Sequence, residues 1–344
     1  MKKRNLLTLA GIVVSALLIS APSSGQVIKL TVADQNPQIS WGAVQAMDPW
    51  IKKVEEATKG RVKLQVYYSQ TLAKGPDIWN AVKTGVADIG WCFHGYWPDM
   101  TPLADVITLP FMPITKAEKG SEVLWKLYEK FPAIQREFRD VKTLMLWTTD
   151  PYFLVTSKKQ VKTLEDIKGM KIRVVGGPPT EQMKALGAIP IVIPMPGNYE
   201  ALARGTIDGM GAPWEPLEGY RLLEVVKYYT RVPLFAAYFS MSFNKQKWDS
   251  LPKDIQQAIM SVSGLEGSKF WGRNFFDTAE QAVLNAAKKG NFEIIQYELP
   301  PQELARWRKV AGDPLWNEWV KRMEAKGRPE ARQVLNATLD LLKH

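Results

Sequence analysis

The sequence predicts an α/β fold divided into two lobes. Three observations carry that prediction. Residues 171–205 alternate strand-like and helix-like stretches, the order of a βαβ unit. A turn of the form Gly-x-x-Asp occurs once in each half, at Gly85 to Asp88 and at Gly205 to Asp208, as expected if two similar lobes face each other across a cleft. The chain has 344 residues, enough for two cores rather than one small one.

The first residues, with Lys2, Lys3 and Arg4, precede an apolar run at 6–19, the build of a secretory signal peptide. Small residues at Ser23 and Gly25 place cleavage before Gln26. An uncleaved membrane anchor is the alternative, but a span takes ~20 apolar residues and this run is shorter. Without the leader, 42 basic residues face 35 acidic ones, a surplus of 7. That surplus could steer anions toward the protein. The basic residues are dispersed, however, with no block of the kind that binds nucleic acid. The single cysteine, Cys92, rules out an internal disulfide, and it lies too far from the leader to be a lipid attachment site.

In the first half, residues 27–33 alternate Ile28, Leu30 and Val32 with Lys29 and Thr31, a strand pattern, and a polar loop at 34–39 follows. Residues 41–59 have helical period, with Val44, Met47, Ile51 and Val54 on one stripe, Pro49 as a kink or a new start, and Gly60 as terminator. A second strand at 61–68, a short helix at 74–83 and the turn at Gly85 complete another βαβ unit. The aromatic run from Trp91 through Phe93, His94, Tyr96 and Trp97 stands just beyond it, and both core packing and ligand contact account for such a run. A helix at 118–131 and a strand at 141–148 lead to Asp150-Pro151, the joint to the second lobe.

In the second half, the strand at 171–175 is stopped by Gly176-Gly177-Pro178-Pro179, so Arg173 sits at a strand end, where open α/β sheets bind ligands. Pro179, Thr180 and Glu181 open a helix with Met183 and Leu186 on one face, ended by Gly187. A strand at 189–193 and a helix at 199–203, closed by Gly205, follow. Residues 218–227 read as helix, 229–243 as extended chain returning to the first lobe, and 251–287 as a helical region in which Gly264, Gly267 and Gly272 mark possible bends. A last strand at 292–299 precedes a tail in which Trp307, Trp316 and Trp319 mark amphipathic helix packed on the second lobe.

The residue inventory restricts the chemistry. With His94 and His344 as the two histidines and one cysteine, no zinc site of His and Cys can be built, and a Ser-His-Asp triad would have to use His94. No G-x-S-x-G, Walker loop or H-E-x-x-H occurs, and Gly209-x-Gly211 lacks the third glycine of a dinucleotide fingerprint. No metal, no cofactor and no catalysis is expected; a carboxylate pair in a cleft stays open as the enzymatic alternative.

Arg173 is the strongest candidate site residue. Its planar fork could grip a carboxylate through two parallel charge-assisted hydrogen bonds. It could equally pair with an Asp or Glu at the lobe edge, and spacing does not decide between the two.

Several motifs, in order, supply further information: Leu109-Pro110-Phe111, Asp166-Ile167-Lys168-Gly169-Met170-Lys171-Ile172-Arg173-Val174, Ala185-Leu186-Gly187-Ala188, Pro194-Met195-Pro196 and Gly205-Thr206-Ile207-Asp208-Gly209. Together they resemble the periplasmic solute-binding proteins of TRAP transporters, the DctP-like family, from about Leu30 to about Trp248. The resemblance implies a two-lobed periplasmic solute-binding protein fold with a ligand cleft between the lobes and a long helix spanning both. It implies a signal peptide at 1–25, a first lobe of 26–150 plus 239–266, and a second of 151–238 plus 267–344. It makes Arg173 the carboxylate-binding arginine and puts Asn36 in the first ligand-facing loop.

This chain departs from the family pattern twice. Tyr152 or Phe153 stands where many members carry a second arginine, and Ala212 replaces a ligand-holding amide. Both changes remove polar grip and add apolar or aromatic surface, so the expected ligand has one anionic head and a bulky apolar or aromatic body. Trp214 could stack on that body, stack on the Arg173 guanidinium, or belong to the core. Glu215 could orient Arg173 or face water, and Trp91, His94 and Tyr152 could complete the pocket. The expected function is a monomeric periplasmic receptor that delivers an organic acid anion to separate TRAP permease subunits and binds no nucleic acid. Alternatives are a receptor for a sulfonate or an aliphatic acid, a receptor for an ATP-driven importer, and a periplasmic enzyme.

Overall fold

Two sheets organise the computed structural model, which describes residues 27–343. The leader, its cleavage point and His344 lie outside the described residues. The strands are β1 (Ile28–Ala33), β2 (Val62–Tyr67), β3 (Ile89–Phe93), β4 (Val141–Thr148), β5 (Phe153–Thr156), β6 (Lys171–Val174), β7 (Ile189–Val192), β8 (Gly209–Ala212), β9 (Tyr228–Arg231), β10 (Tyr238–Asn244) and β11 (Ile295–Glu298). The first sheet runs β2-β1-β3-β10-β4 and the second β11-β9-β5-β8-β6-β7. Within them β1 is parallel to β2 and β3, and β6 is parallel to β7 and β8, as the two βαβ readings require. Strand β3 is buried along its whole length, which suits a central strand covered on both faces.

The repeated Gly-x-x-Asp turn has a shared physical role. Gly85 and Gly205 take positive φ, +79° and +67°, the left-handed conformation that ends a helix. Each aspartate then ties its turn to a neighbouring strand: Asp88 Oδ2 accepts from the N–H of Thr31 at 2.8 Å, and Asp208 Oδ2 from the N–H of Lys171 at 2.8 Å. The same local solution is thus used once per lobe.

The chain crosses between the sheets three times. The segments 149–152 and 232–237 run side by side, with Tyr152 N–H donating to the Phe235 carbonyl (2.7 Å) and Leu234 N–H to the Tyr152 carbonyl (2.8 Å). The third crossing is helical: Gly264–Trp271, a π turn at Gly272–Asp277, then Ala279–Lys289. Its first part lies on β4, where Ser268 Oγ accepts from Leu146 N–H at 3.1 Å, and its last part puts Val283 and Ala287 into the core beneath the second sheet. Of the candidate bends, Gly264 opens this helix at φ +58° and Gly272 begins the π turn.

Two local readings are corrected by tertiary packing. A π turn at Ala43–Met47 rotates the early helix, so Ala43, Ala46 and Met47 are buried while Val44 is 46% exposed. The stretch read as helix at 218–227 is a short helix, Glu215–Gly219, then Arg221 at φ +57° and a 3-10 turn, Leu222–Glu224. The helix stops there because Gly219 lies against Ser40 of the first lobe and Tyr220 turns into the space between lobes. In the tail, the helices Pro301–Ala311 and Asp313–Ala325 contact Pro178–Ala185 of the second lobe, whereas the last helix, Ala331–Lys343, contacts Ala117–Lys130 of the first.

Candidate ligand-binding site

Arg173 stands near the carboxyl end of β6, paired in register with Met210 of β8 and Ile191 of β7. It is fully buried. Its Nε donates to the Ile193 carbonyl at 3.0 Å, which fixes the plane of the guanidinium. Nη1 and Nη2 are buried and meet no acceptor in full hydrogen-bonding geometry, the Tyr152 hydroxyl interacting with the guanidinium outside it. Burial weakens the charged form, while the phenols of Tyr152, Tyr96 and Tyr220 nearby favour it. Among the described residues no carboxylate holds this fork, which separates Arg173 from a structural ion pair.

Beside it lies a narrow cavity between the lobes. Gln35, Asn36, Trp91, Phe93, Phe239 and the pair Phe275 and Phe276 line it from the first lobe and the crossing helix. Tyr152, Met195, Pro213, Glu215, Pro216 and Tyr220 line it from the second. The rings form a contiguous cage: Trp91 and Phe239 are 4.6 Å apart between centroids, Phe239 and Phe276 5.5 Å, and Phe275 and Phe276 4.6 Å. Arg173 does not itself line the cavity; it adjoins it through Tyr152 and Tyr220.

Strand alternation explains which side chains arrive there. In β3 and β10, Phe93 pairs with Phe239, and Cys92, on the other face, pairs with Ser240. His94 shares the Cys92 side: its Nε2 meets Ser240 Oγ at 2.9 Å, its Nδ1 meets Thr101 Oγ1 at 3.1 Å, and its ring stacks on Tyr238 at 4.8 Å. Burial pushes His94 down to about 3, so it is a neutral core histidine. Tyr152 and Phe153, adjacent in sequence, likewise diverge: Tyr152 lines the cavity, and Phe153 packs with Trp214 on the far face at 4.7 Å.

Trp214 is 1% exposed, stacked on Tyr229 at 5.5 Å, with the guanidinium of Arg231, not Arg173, 5.4 Å from its ring. It belongs to the core under the second sheet and does not reach the cavity. Glu215 neither pairs with Arg173 nor faces water. It is 4% exposed, and its Oε1 accepts from the N–H of Gly42 in the first lobe at 3.1 Å. Burial pushes it up to about 8, and Asp34 and Glu218 nearby act in the same direction.

The lobes are clasped around the cavity. Tyr220 donates from its hydroxyl to Asn36 Oδ1 at 2.9 Å, and Met195 N–H donates to Tyr96 Oη at 2.9 Å. Asn36 is held by Asp34, whose Oδ1 accepts from its N–H (2.9 Å) and its Nδ2 (2.8 Å); burial pushes Asp34 up to about 7. Gly176 N–H donates to the Gly95 carbonyl at 2.9 Å, an approach that a side chain at either position would obstruct. Of the residues expected from sequence, Asn36, Trp91, Tyr152 and Glu215 thus come together beside Arg173, while His94, Phe153 and Trp214 face elsewhere. Sequence reasoning did not single out Tyr96, Tyr220, Phe239, Phe275 and Phe276. Of these only Tyr96 carried a signal, as a member of the aromatic run.

The family model described as bacterial extracellular solute-binding protein, family 7 (DctP), matches residues 36–322. The chain is 28% identical over 329 residues, 94% of each sequence, to a Comamonas testosteroni protein described as outer membrane transporter protein TsaT. It superposes with a TM-score of 0.87 and 29% identity on a TRAP solute-binding protein from Rhodoferax ferrireducens in complex with copurified benzoate, covering 92% of this chain and 98% of that one. A TRAP solute-binding protein from a marine metagenome, specific for aromatic acid ligands and bound to 3-hydroxybenzoate, superposes with a TM-score of 0.87 and 28% identity over the same shares.

Proposed function

The chain belongs to the family 7 extracellular solute-binding proteins, the receptors of TRAP transporters, and we propose that its ligand is an aromatic monocarboxylate held between the lobes. It is a transport receptor for small organic acids that works with a TRAP membrane permease, and it is not an enzyme. In the proposed complex Nη1 and Nη2 of Arg173 receive the carboxylate as a bidentate pair. Tyr152, kept neutral by burial, stands as a hydroxyl donor beside it, while the Tyr220 hydroxyl gives its one hydrogen to Asn36 and ties the lobes together. The ring of the ligand lies among Trp91, Phe239, Phe275 and Phe276. The signal peptide is removed on export and the receptor acts as a monomer in the periplasm.

The observation that carries this reading is a buried guanidinium with both terminal nitrogens lacking an acceptor, next to a cage of aromatic rings. Contacts from both lobes to one small anion favour the closed arrangement over the open one. The neighbours that hold benzoate and 3-hydroxybenzoate support the same ligand class. A thermal-shift screen tests it with benzoate, 3-hydroxybenzoate, benzenesulfonate, a branched aliphatic acid, succinate and glucuronate. A ligand at 100 times its Kd stabilises by ~2.7 kcal/mol. Stabilisation by the aromatic carboxylates and none by succinate or glucuronate is expected. The reverse order rejects the ligand assignment, and a response to benzenesulfonate alone moves it to sulfonates.

A further inference from the structure

Among the described residues Glu215 is the one acidic side chain in the wall of this cavity, and none of the cations pairs with it. Its carboxyl accepts a single hydrogen bond, from Gly42 N–H across the lobe boundary. The charged groups around it are acids: Asp34 from the loop after β1, and Glu218 on its own helix. Tyr152 and Tyr220 face it as neutral phenols, and the crossing helix contributes only Phe275 and Phe276. Arg173 is not among the groups acting on it. Part of what covers Glu215 comes from the first lobe: the N–H of Gly42 bonded to it, and the loop carrying Asp34 and Asn36. When the lobes part, those groups withdraw and the carboxyl returns to water.

We infer that closure of the lobes on an acid anion takes up one proton from solvent onto Glu215, so that anion and proton enter the cavity together. The inference rests on the cavity being the ligand site. The step is a simple protonation, carboxylate plus proton giving carboxylic acid, with Oε1 still accepting from Gly42 N–H. Its sign follows from the burial: in the closed arrangement burial raises Glu215 from the ordinary 4.5 to about 8, and return to water on opening brings it back toward the ordinary value. Between those values closure binds a proton, so affinity falls as pH rises, by up to tenfold per pH unit, and levels off above about 8. With Glu215 protonated, the cavity wall carries no negative charge, and Arg173 adjoining it is the counter-charge left for the ligand.

Calorimetry of benzoate binding to the mature protein tests this, at pH 5.5, 6.5, 7.5 and 8.5, in buffers of different protonation enthalpy. Wild type should take up close to one proton per benzoate at pH 6.5 and lose affinity as pH rises. Glu215→Gln should take up none and show a flat profile, and Asp34→Asn should keep the uptake. Binding by wild type without proton uptake overturns the inference and needs no variant. Uptake that survives in Glu215→Gln and vanishes in Asp34→Asn also overturns it, by placing the proton on Asp34. Absence of benzoate binding at every pH would count against the ligand reading itself, and the inference would fall with it.

Discussion

The hydroxyl of Tyr220 in the second lobe donates to the amide oxygen of Asn36 in the first at 2.9 Å, and Asp34 holds that amide in place from behind. The bond bridges the two lobes. Tyr220→Phe removes it and keeps the ring. A hydrogen bond contributes about 1 kcal/mol net, so benzoate should bind about fivefold more weakly by calorimetry, with the unliganded melting temperature unchanged.

Arg173 carries a buried charge whose two terminal nitrogens have no acceptor. Arg173→Met keeps most of the volume and removes the charge. Loss of one partner from a buried charge pair costs about 2–5 kcal/mol, so benzoate binding should weaken by more than about thirtyfold. The unliganded protein should melt no lower, because an unpaired buried charge does not stabilise it.

Trp91 and Trp214 were both candidates for the ligand wall, and the fold separates them. Trp214→Ala should cost about 3–5 kcal/mol in urea unfolding, as a truncated core aromatic, and leave the benzoate Kd of the folded fraction unaltered. Trp91→Ala should weaken benzoate binding as well as stability. Equal effects of the two on affinity would argue against the cavity as the site.

Gly176 touches the first lobe closely enough that an added Cβ would lie 3.1 Å from the Gly95 carbonyl and 3.2 Å from Pro98 Cδ. Those contacts join the two lobes. Gly176→Ala should therefore reduce affinity several-fold while the unliganded melting temperature holds. A drop in that temperature would mean the lobes are already closed without ligand.

Asp105 lies buried with its Oδ1 accepting from the Tyr238 hydroxyl at 2.9 Å, and burial pushes it from the ordinary 3.8 up to about 7. Folding thus takes up a proton here. The associated stability is present at low pH and is lost as pH rises from about 4 to about 7. Wild type should melt higher at pH 5 than at pH 8. Asp105→Asn, which keeps an acceptor for Tyr238, should reduce that difference.

Much of the fold was legible because its signals are local. The strand 141–148 coincides with β4, and the positive-φ glycines end their helices where the sequence places them. The early helix and the stretch after Glu215 were misread because a π turn and a contact with Ser40 override local period. The site was legible only in part. Tyr220 and Phe275 lie in segments that local pattern marks as ordinary helix, and nothing in their spacing says that they meet.

The sequence by itself determined the two βαβ units, the arginine at a strand end and the family, since each is written in short runs of residues whose chemistry and spacing are fixed along the chain. Only the tertiary structure decided that Tyr152 faces the cavity between the lobes and Phe153 does not, that His94 is a core residue, and that Glu215 answers to Gly42 rather than Arg173. A strand offers two faces to its surroundings. Which one meets the cleft, and how strongly burial there shifts a carboxyl, depends on groups far away in the chain that only the closing of the lobes brings near.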